Sequence, residues 1–327
     1  DVYKRQFQFS IFGAGMLRSS GNMVVPSVMS VVMMSLDVVF NFFLIFPTRP
    51  VQLLGAEVTI PGMGMGVVGA AIGTVSAELV AASITMYILC FRSKELSLRI
   101  DTGRFLPTWG VVKRALHISL PMGLQQTIMC SAYVMTTIII APLGTFAIAA
   151  NSFGVIVESL CYMPGYGIAD AATTLVGQSI GAGRHELMKR FAWLSVGLGV
   201  TVMAVMGVVM YVGAPVAMAM MTPAEEVRRL GVEVLRIEAF AEPMFAAAIV
   251  SYGVFVGAAK TLVPSIMNLV SIWGVRISLA ALLAPSMGLR GVWIAMCIEL
   301  CFRGFIFLVK LKFWNIQTSC NHYGKDQ

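Results

Sequence analysis

The chain has 327 residues, of which 58% are hydrophobic and only 12% charged, with a formal net charge of +7. Soluble domains carry about 25% charged residues, so a water-soluble globule of this length would lack the polar surface it needs. Lipid is the better solvent, and the reading is an all-α polytopic membrane protein; the alternation of a spanning β-barrel is absent.

The first apolar stretch, 7–17, follows "DVYKRQ" directly and is too short to cross about 30 Å of hydrocarbon. With no initiating methionine before it, it reads as the tail of a truncated helix in a fragment of a longer protein. The stretch 24–46 follows, containing "VMSVVMMSLDVVFNFFLI" with Asp37 near its centre, and then 65–91. The segment 92–114 is the longest strongly polar stretch and reads as a linker between two halves. Beyond it come 116–140, 146–176, 191–213, 231–257, 262–284 and 288–310. That makes eight complete spans. Pro164, Gly165 and Gly167 predict a bend within 146–176.

Basic residues set orientation. The linker carries Arg92, Lys94, Arg99, Arg104, Lys113 and Arg114. If it is cytoplasmic, alternation places Arg18, Arg184, Lys189, Arg190, Lys260, Lys310, Lys312 and Lys325 on the same side. The other side holds Arg49, Arg228, Arg229, Arg236 and Arg290, so the balance is fourteen against five. This accounts for the positive charge and puts the carboxyl terminus in the cytoplasm of a cell whose plasma membrane the chain crosses. No basic stripe with interleaved aromatics points to nucleic acid.

On a helix, Pro26, Ser30, Asp37 and Asn41 fall within about 60° of one another. Such a polar stripe faces a bundle or a water-filled cavity rather than lipid. Loss of water favours the neutral acid, so Asp37 is the first candidate for binding a coupling cation, H⁺ above all. The alternative is a structural carboxyl bonded to a neighbouring helix. Glu158, beside the expected bend, is the second candidate. Glu78, Glu299, Arg276 and Arg303 read as interhelical partners, with Glu299 and Arg303 spaced to pair on one face. Glu238 and Glu242 read as sharing a helix face, with Arg236 nearby.

Other patterns are weaker. Five of the six cysteines, Cys90, Cys130, Cys161, Cys297 and Cys301, lie in apolar stretches without metal-site spacing and read as small core residues; Cys320 lies in the tail. Gly64-x-Gly66-x-x-Gly69 matches a dinucleotide fingerprint only in letters, because no strand precedes it. Its glycines instead suit close helix approach. "GQSIGAGR" lacks the lysine and hydroxyl residue of a phosphate loop. The histidines His117, His185 and His322 lie at helix ends, in a loop or in the tail, so no catalytic set and no metal site is expected. The 23 methionines suit a cavity that re-packs around varied ligands. A weak repeat pairs "LRSSGNMVVPSVMSVV" with "FVGAAKTLVPSIMNLV", and "GMGVVGAAIGTVSAELV" with "SMGLRGVWIAMCIELCF". Internal repeats mark secondary transporters.

The stretches "LRSSGNMVVP", "SLDVVFNFFLI", "GMGVVGAAIGTVSAE", "HISLPMGLQQ", "AIAANSFGVIVESLCYMPGYGIADAATTLVGQSIGAGR" and "VGAAKTLVP" resemble the MATE (multidrug and toxin extrusion) transporters. The resemblance implies twelve helices in two lobes, of which this chain would lack about the first three and a half and so be inactive alone. Residues 1–91 would belong to the first lobe, 92–114 to a cytoplasmic linker, 115–312 to the second lobe and 313–327 to a cytoplasmic tail. It also implies a monomeric antiporter, with no cofactor beyond the coupling ion H⁺ or Na⁺, that expels organic cations and drugs by alternating access from a site near the membrane midplane. Asp37 matches the family's acidic position on its helix. Met33 stands where some members have an asparagine. The family's glutamate in the seventh helix and aspartate in the tenth fall near Met129 and Phe245, with Glu242 three residues before the latter. Gln125, Gln126 and Thr127 offer neutral cavity groups beside Ser30 and Asn41, which favours H⁺ over Na⁺. A lipid-linked oligosaccharide flippase of related fold is the first alternative, with Arg276 as its main cation. A non-transporting membrane scaffold is the second.

Overall fold

The computed structural model describes residues 2–53, 56–92 and 108–314, and its contacts divide the chain into two compact units, Asp1–Leu106 and Pro107–Gln327. Residues 93–107, which hold most of the expected linker, and Cys320, His322 and Lys325 lie outside the described residues.

The first unit holds helices α1 (Val2–Ser19), α2 (Val24–Ile45) and α3 (Gly66–Tyr87), the last running into a π-helical turn at Ile88–Arg92. Between α2 and α3 stands an antiparallel ribbon, β1 (Pro47–Leu53) and β2 (Ala56–Met63), in register from Arg49 opposite Ile60 to Leu53 opposite Ala56. The ribbon overturns the expectation that no strand precedes Gly64. Val51, Val58, Thr59 and Ile60 are strand-favouring types, and outside the hydrocarbon an antiparallel pair satisfies the backbone without a helix. The α2–α3 seam is glycine-lined. A Cβ at Gly69 would overlap the Leu44 carbonyl, and one at Gly73 would strike the Asn41 side chain. Small residues admit this approach, as expected for 66–73.

The second unit comprises α4 (Trp109–Ile140), α5 (Thr145–Gly181), α6 (His185–Met221), α7 (Glu225–Glu238), α8 (Glu242–Gly257), α9 (Leu262–Leu269), α10 (Ser278–Met287) and α11 (Leu289–Lys312). A π-helical segment, Val270–Ile277, joins α9 to α10 without a turn. Among the described residues seven helical segments are long and apolar enough to cross a membrane, and eight if the bent pair α7–α8 is one span. The expected eight complete spans match that larger number.

α5 is a single helix through Pro164, Gly165 and Gly167, where the sequence predicts a bend. Gly165 lies close enough to Met203 that a Cβ there would sit 3.2 Å from its Sδ, so packing on α6 accompanies the helix past the proline. A break falls inside 231–257, where α7 and α8 meet at 59°. Pro243 is the cause: it has no N–H to continue α7 and is suited to the first turn of a new helix. Glu238 and Glu242 therefore do not share one helix face. One ends α7 and the other begins α8.

The core of this unit has two apolar clusters. One centres on Trp293, Leu235, Ile140 and Met210, the other on Phe255, Phe307 and Val250. Trp293 is buried, with its Nε1 donating to Asn151 Oδ1 at 3.1 Å, and Gly154 leaves room for its ring. α5 and α8 meet along Ala169, Thr173, Gly253 and Gly257. Thr173 Oγ1 bonds the carbonyls of Ala169 (2.9 Å) and Gly253 (2.8 Å), and a Cβ at Gly257 would overlap the Thr173 carbonyl. Gly257→Ala should therefore destabilise the protein by about 1–3 kcal/mol through forced separation of the helices. Gly197→Ala, with open space around it, should be neutral. Thermal unfolding in detergent distinguishes the two.

Candidate functional site

In the first unit, α2 carries the polar stripe. Asn41 Nδ2 donates to Asp37 Oδ1 at 3.1 Å, one helical turn apart, and both residues are half-buried. Gly73 of α3 gives the Asn41 side chain its space. Ser30 does not join them: it is exposed, and its hydroxyl donates to the Pro26 carbonyl at 2.9 Å. Glu78 of α3, treated in the sequence as an interhelical partner, is buried, and its Oε2 has no hydrogen-bond partner among the described residues.

On α4 the three neutral candidates separate. Gln125 Oε1 accepts from Ser265 Oγ of α9 at 2.6 Å, and the Tyr252 side chain of α8 lies near both residues. Gln126 and Thr127 are exposed, and Thr127 Oγ1 donates back to the Gly123 carbonyl at 3.1 Å. Ser265 and Tyr252 carried no sequence signal, because a hydroxyl on an apolar helix is unremarkable until its partner is known.

The second unit also gathers a buried charged cluster. Glu158 comes from α5, Glu238 from the end of α7, Glu242 from the start of α8, Glu299 and Arg303 from α11, and Arg276 from the π-helical segment. Glu238 and Glu242 are each 1% exposed and Glu299 0%. Arg303 Nε lies 3.1 Å from Glu299 Oε1, the expected one-turn pair, though without the alignment of a hydrogen bond. Ser271 Oγ donates to the same oxygen at 2.6 Å. The Arg303 guanidinium also lies 5.4 Å from the centre of the Phe245 ring, a cation–π contact. Arg276 contacts the Met296 sulfur. Glu158 lies within electrostatic reach of Arg276 and Arg303, and Glu238 within reach of Glu158, Glu242, Glu299 and Arg276. Among the described residues neither carboxylate oxygen of Glu238 or of Glu242 has a hydrogen-bond partner.

Four carboxyl groups thus share a buried region with two guanidiniums. Desolvating each ion costs several kcal/mol, and only close opposite charge or a proton offsets it. The two arginines balance two carboxylates, so the cluster can accept two further positive charges. The sequence shows each member alone. It does not show that the break at Pro243 and the π-helical segment bring them together. Replacing one partner strands the other: Arg303→Met should cost about 3–5 kcal/mol, whereas the paired Glu299→Met/Arg303→Met should recover most of it. Thermal unfolding of the two variants in detergent checks the difference.

The MatE family profile matches residues 121–282. A Thermotoga maritima protein described as a probable multidrug resistance protein NorM is 27% identical over 305 residues, covering 92% of this chain and 62% of its own length. A Xylella fastidiosa protein of the same description is 29% identical over 238 residues, covering 72% of this chain and 50% of its own. The chain thus spans between half and about three fifths of these relatives. In fold it resembles the Vibrio cholerae MATE transporter VcmN, with a TM-score of 0.81 at 18% identity over 95% of this chain and 68% of that one. It also resembles a Pyrococcus furiosus transporter of the MOP superfamily, whose binding-pocket polarity is described as reversed and suggestive of a different function (TM-score 0.80, 19% identity, 92% and 64% covered). A family profile lying within the second unit, relatives aligned along as much as 92% of the chain, and a shared helical architecture agree: the chain is similar to the MATE transporters in sequence and in fold.

Proposed function

We propose that the protein is a cation-coupled antiporter that exports organic cations or drugs across the plasma membrane by alternating access, with H⁺ as the coupling ion. The observation that carries the cation coupling is the surplus of buried carboxyl groups in the second unit: Glu158, Glu238, Glu242 and Glu299 against Arg276 and Arg303. Two unfilled positive charges in a region closed to bulk water make a store that cations can load and leave. Protons suit it because two permanent guanidiniums already stand there. Among the described residues no three His, Cys, Asp or Glu side chains group closely enough to hold a metal ion. Asp37, with Asn41 donating to it, is the corresponding carboxylate of the first unit. The relatives described as multidrug resistance proteins supply the substrate class. Residues 1–91 form part of the first lobe and 115–312 the second, in a single-copy transporter whose carboxyl terminus is cytoplasmic.

The flippase alternative needs a strongly cationic cavity to hold pyrophosphate. Arg276, its main candidate, stands instead among carboxylates that outnumber the guanidiniums.

The test uses the full-length protein in inverted membrane vesicles loaded by a pH gradient or a sodium gradient in turn, with ethidium as the fluorescent cation. The pH gradient should drive uptake and the sodium gradient should not. Asp37→Asn should reduce coupled uptake to background while the protein still inserts, and Glu158→Gln should slow it. Uptake driven by sodium alone, or an unaffected Asp37→Asn variant, would remove the proposed coupling.

A further inference from the structure

A cavity of about 380 Å³ opens at one end of the second unit, between the first turns of α6 and the last turn of α11. Buried Met188 and Leu311 form its floor. Lys189 and Lys312, both exposed, stand on its two sides, with Trp193 and Trp314 as its rings. No carboxylate lines it, although exposed Glu186 lies one turn from Lys189 on α6. Among the described residues neither lysine makes an ion pair.

The position of the groove along the helices identifies its surroundings. α6 has 37 residues, about 55 Å at 1.5 Å per residue, against about 30 Å of hydrocarbon. Its continuous apolar stretch begins at Phe191, so Lys189 lies just beyond the hydrocarbon, at the depth of the headgroups. The end of α11 is marked in the same way by Lys310 and Lys312. Tryptophan and lysine together are the side chains that favour this layer. Trp314 is held in place by Phe255, ring centres 5.1 Å apart. Its Nε1 is enclosed and has no acceptor among the described residues. Below Trp193 the same flank of α6 continues as Gly197, Val200 and Ala204, an apolar track leading toward the membrane interior.

We propose that this groove seats the headgroup of an anionic phospholipid. The phosphate lies between Lys189 and Lys312, and an acyl chain runs along Gly197 and Val200. The two lysines supply the charge, the rings fix the depth, and the apolar track accounts for a lipid rather than a soluble anion.

The test uses the full-length protein in phosphatidylcholine nanodiscs, with part of the lipid replaced by brominated phosphatidylglycerol or brominated phosphatidylcholine. Bromine quenches nearby tryptophan fluorescence, so the wild type should be quenched more strongly by the anionic lipid. The excess should vanish in Trp193→Phe/Trp314→Phe. Near a charged surface each lysine contributes roughly a five-fold preference, so the preference should fall about that much in K189Q or K312Q and disappear in K189Q/K312Q. These surface changes should leave thermal unfolding unchanged. Equal quenching by the two lipids, or a preference that survives K189Q/K312Q, would overturn the proposal. A preference abolished by millimolar inorganic phosphate would assign the groove to a free anion. One that first emerges on deletion of residues 315–327 would assign it to the chain's own tail.

Discussion

The second unit depends on the cost of keeping charge away from water. Glu158, Glu238, Glu242 and Glu299 cannot all be ionised against two guanidiniums without a large desolvation penalty. The structure answers with a shared cluster, drawn from α5, α7, α8, α11 and the π-helical segment. Each of these pieces must therefore keep its place for the charges of the others to remain tolerable. Close seams of small residues such as Gly253 and Gly257 against Ala169 and Thr173 hold them there. Hydroxyls do the same work locally, as Ser271 does for Glu299.

Two irregularities create the cluster. Pro243 ends one helix and starts another, so Glu238 and Glu242 come from a bend rather than a regular face. The π-helical stretch Val270–Ile277 adds a residue to the local repeat and sets Ser271 and Arg276 in positions an α-helix would not give both. Breaks of this kind inside spanning segments are tolerated only where protein, rather than lipid, surrounds them. Both irregularities stand beside the buried acids.

The first unit uses simpler means. Asp37 and Asn41 sit one turn apart on α2, so their hydrogen bond is a matter of local spacing, and Gly73 on α3 only leaves space for it. The second polar group of residues was less visible. Gln125 stood out as polar on an apolar helix, but its partner Ser265 is 140 residues away on α9. Ser30 shows the opposite case: it lies on the same stripe as Asp37, yet bonds to its own helix backbone.

What the sequence alone determined follows from period and composition. Runs of apolar residues long enough to cross hydrocarbon dictate helices, because lipid offers the backbone no other partner. The Asp37–Asn41 and Glu299–Arg303 pairs follow from one-turn spacing on those helices. The motifs around residues 147–184 were enough to suggest the family. Tertiary structure alone decided the rest. It placed a helix break at Pro243 while α5 stays one helix through Pro164, since packing on neighbouring helices decides which proline interrupts a span. It formed the ribbon at 47–63, and it brought carboxyl groups from four helices to one buried place. No local rule encodes that meeting, because its energy comes from charges far apart in the chain sharing one region without water.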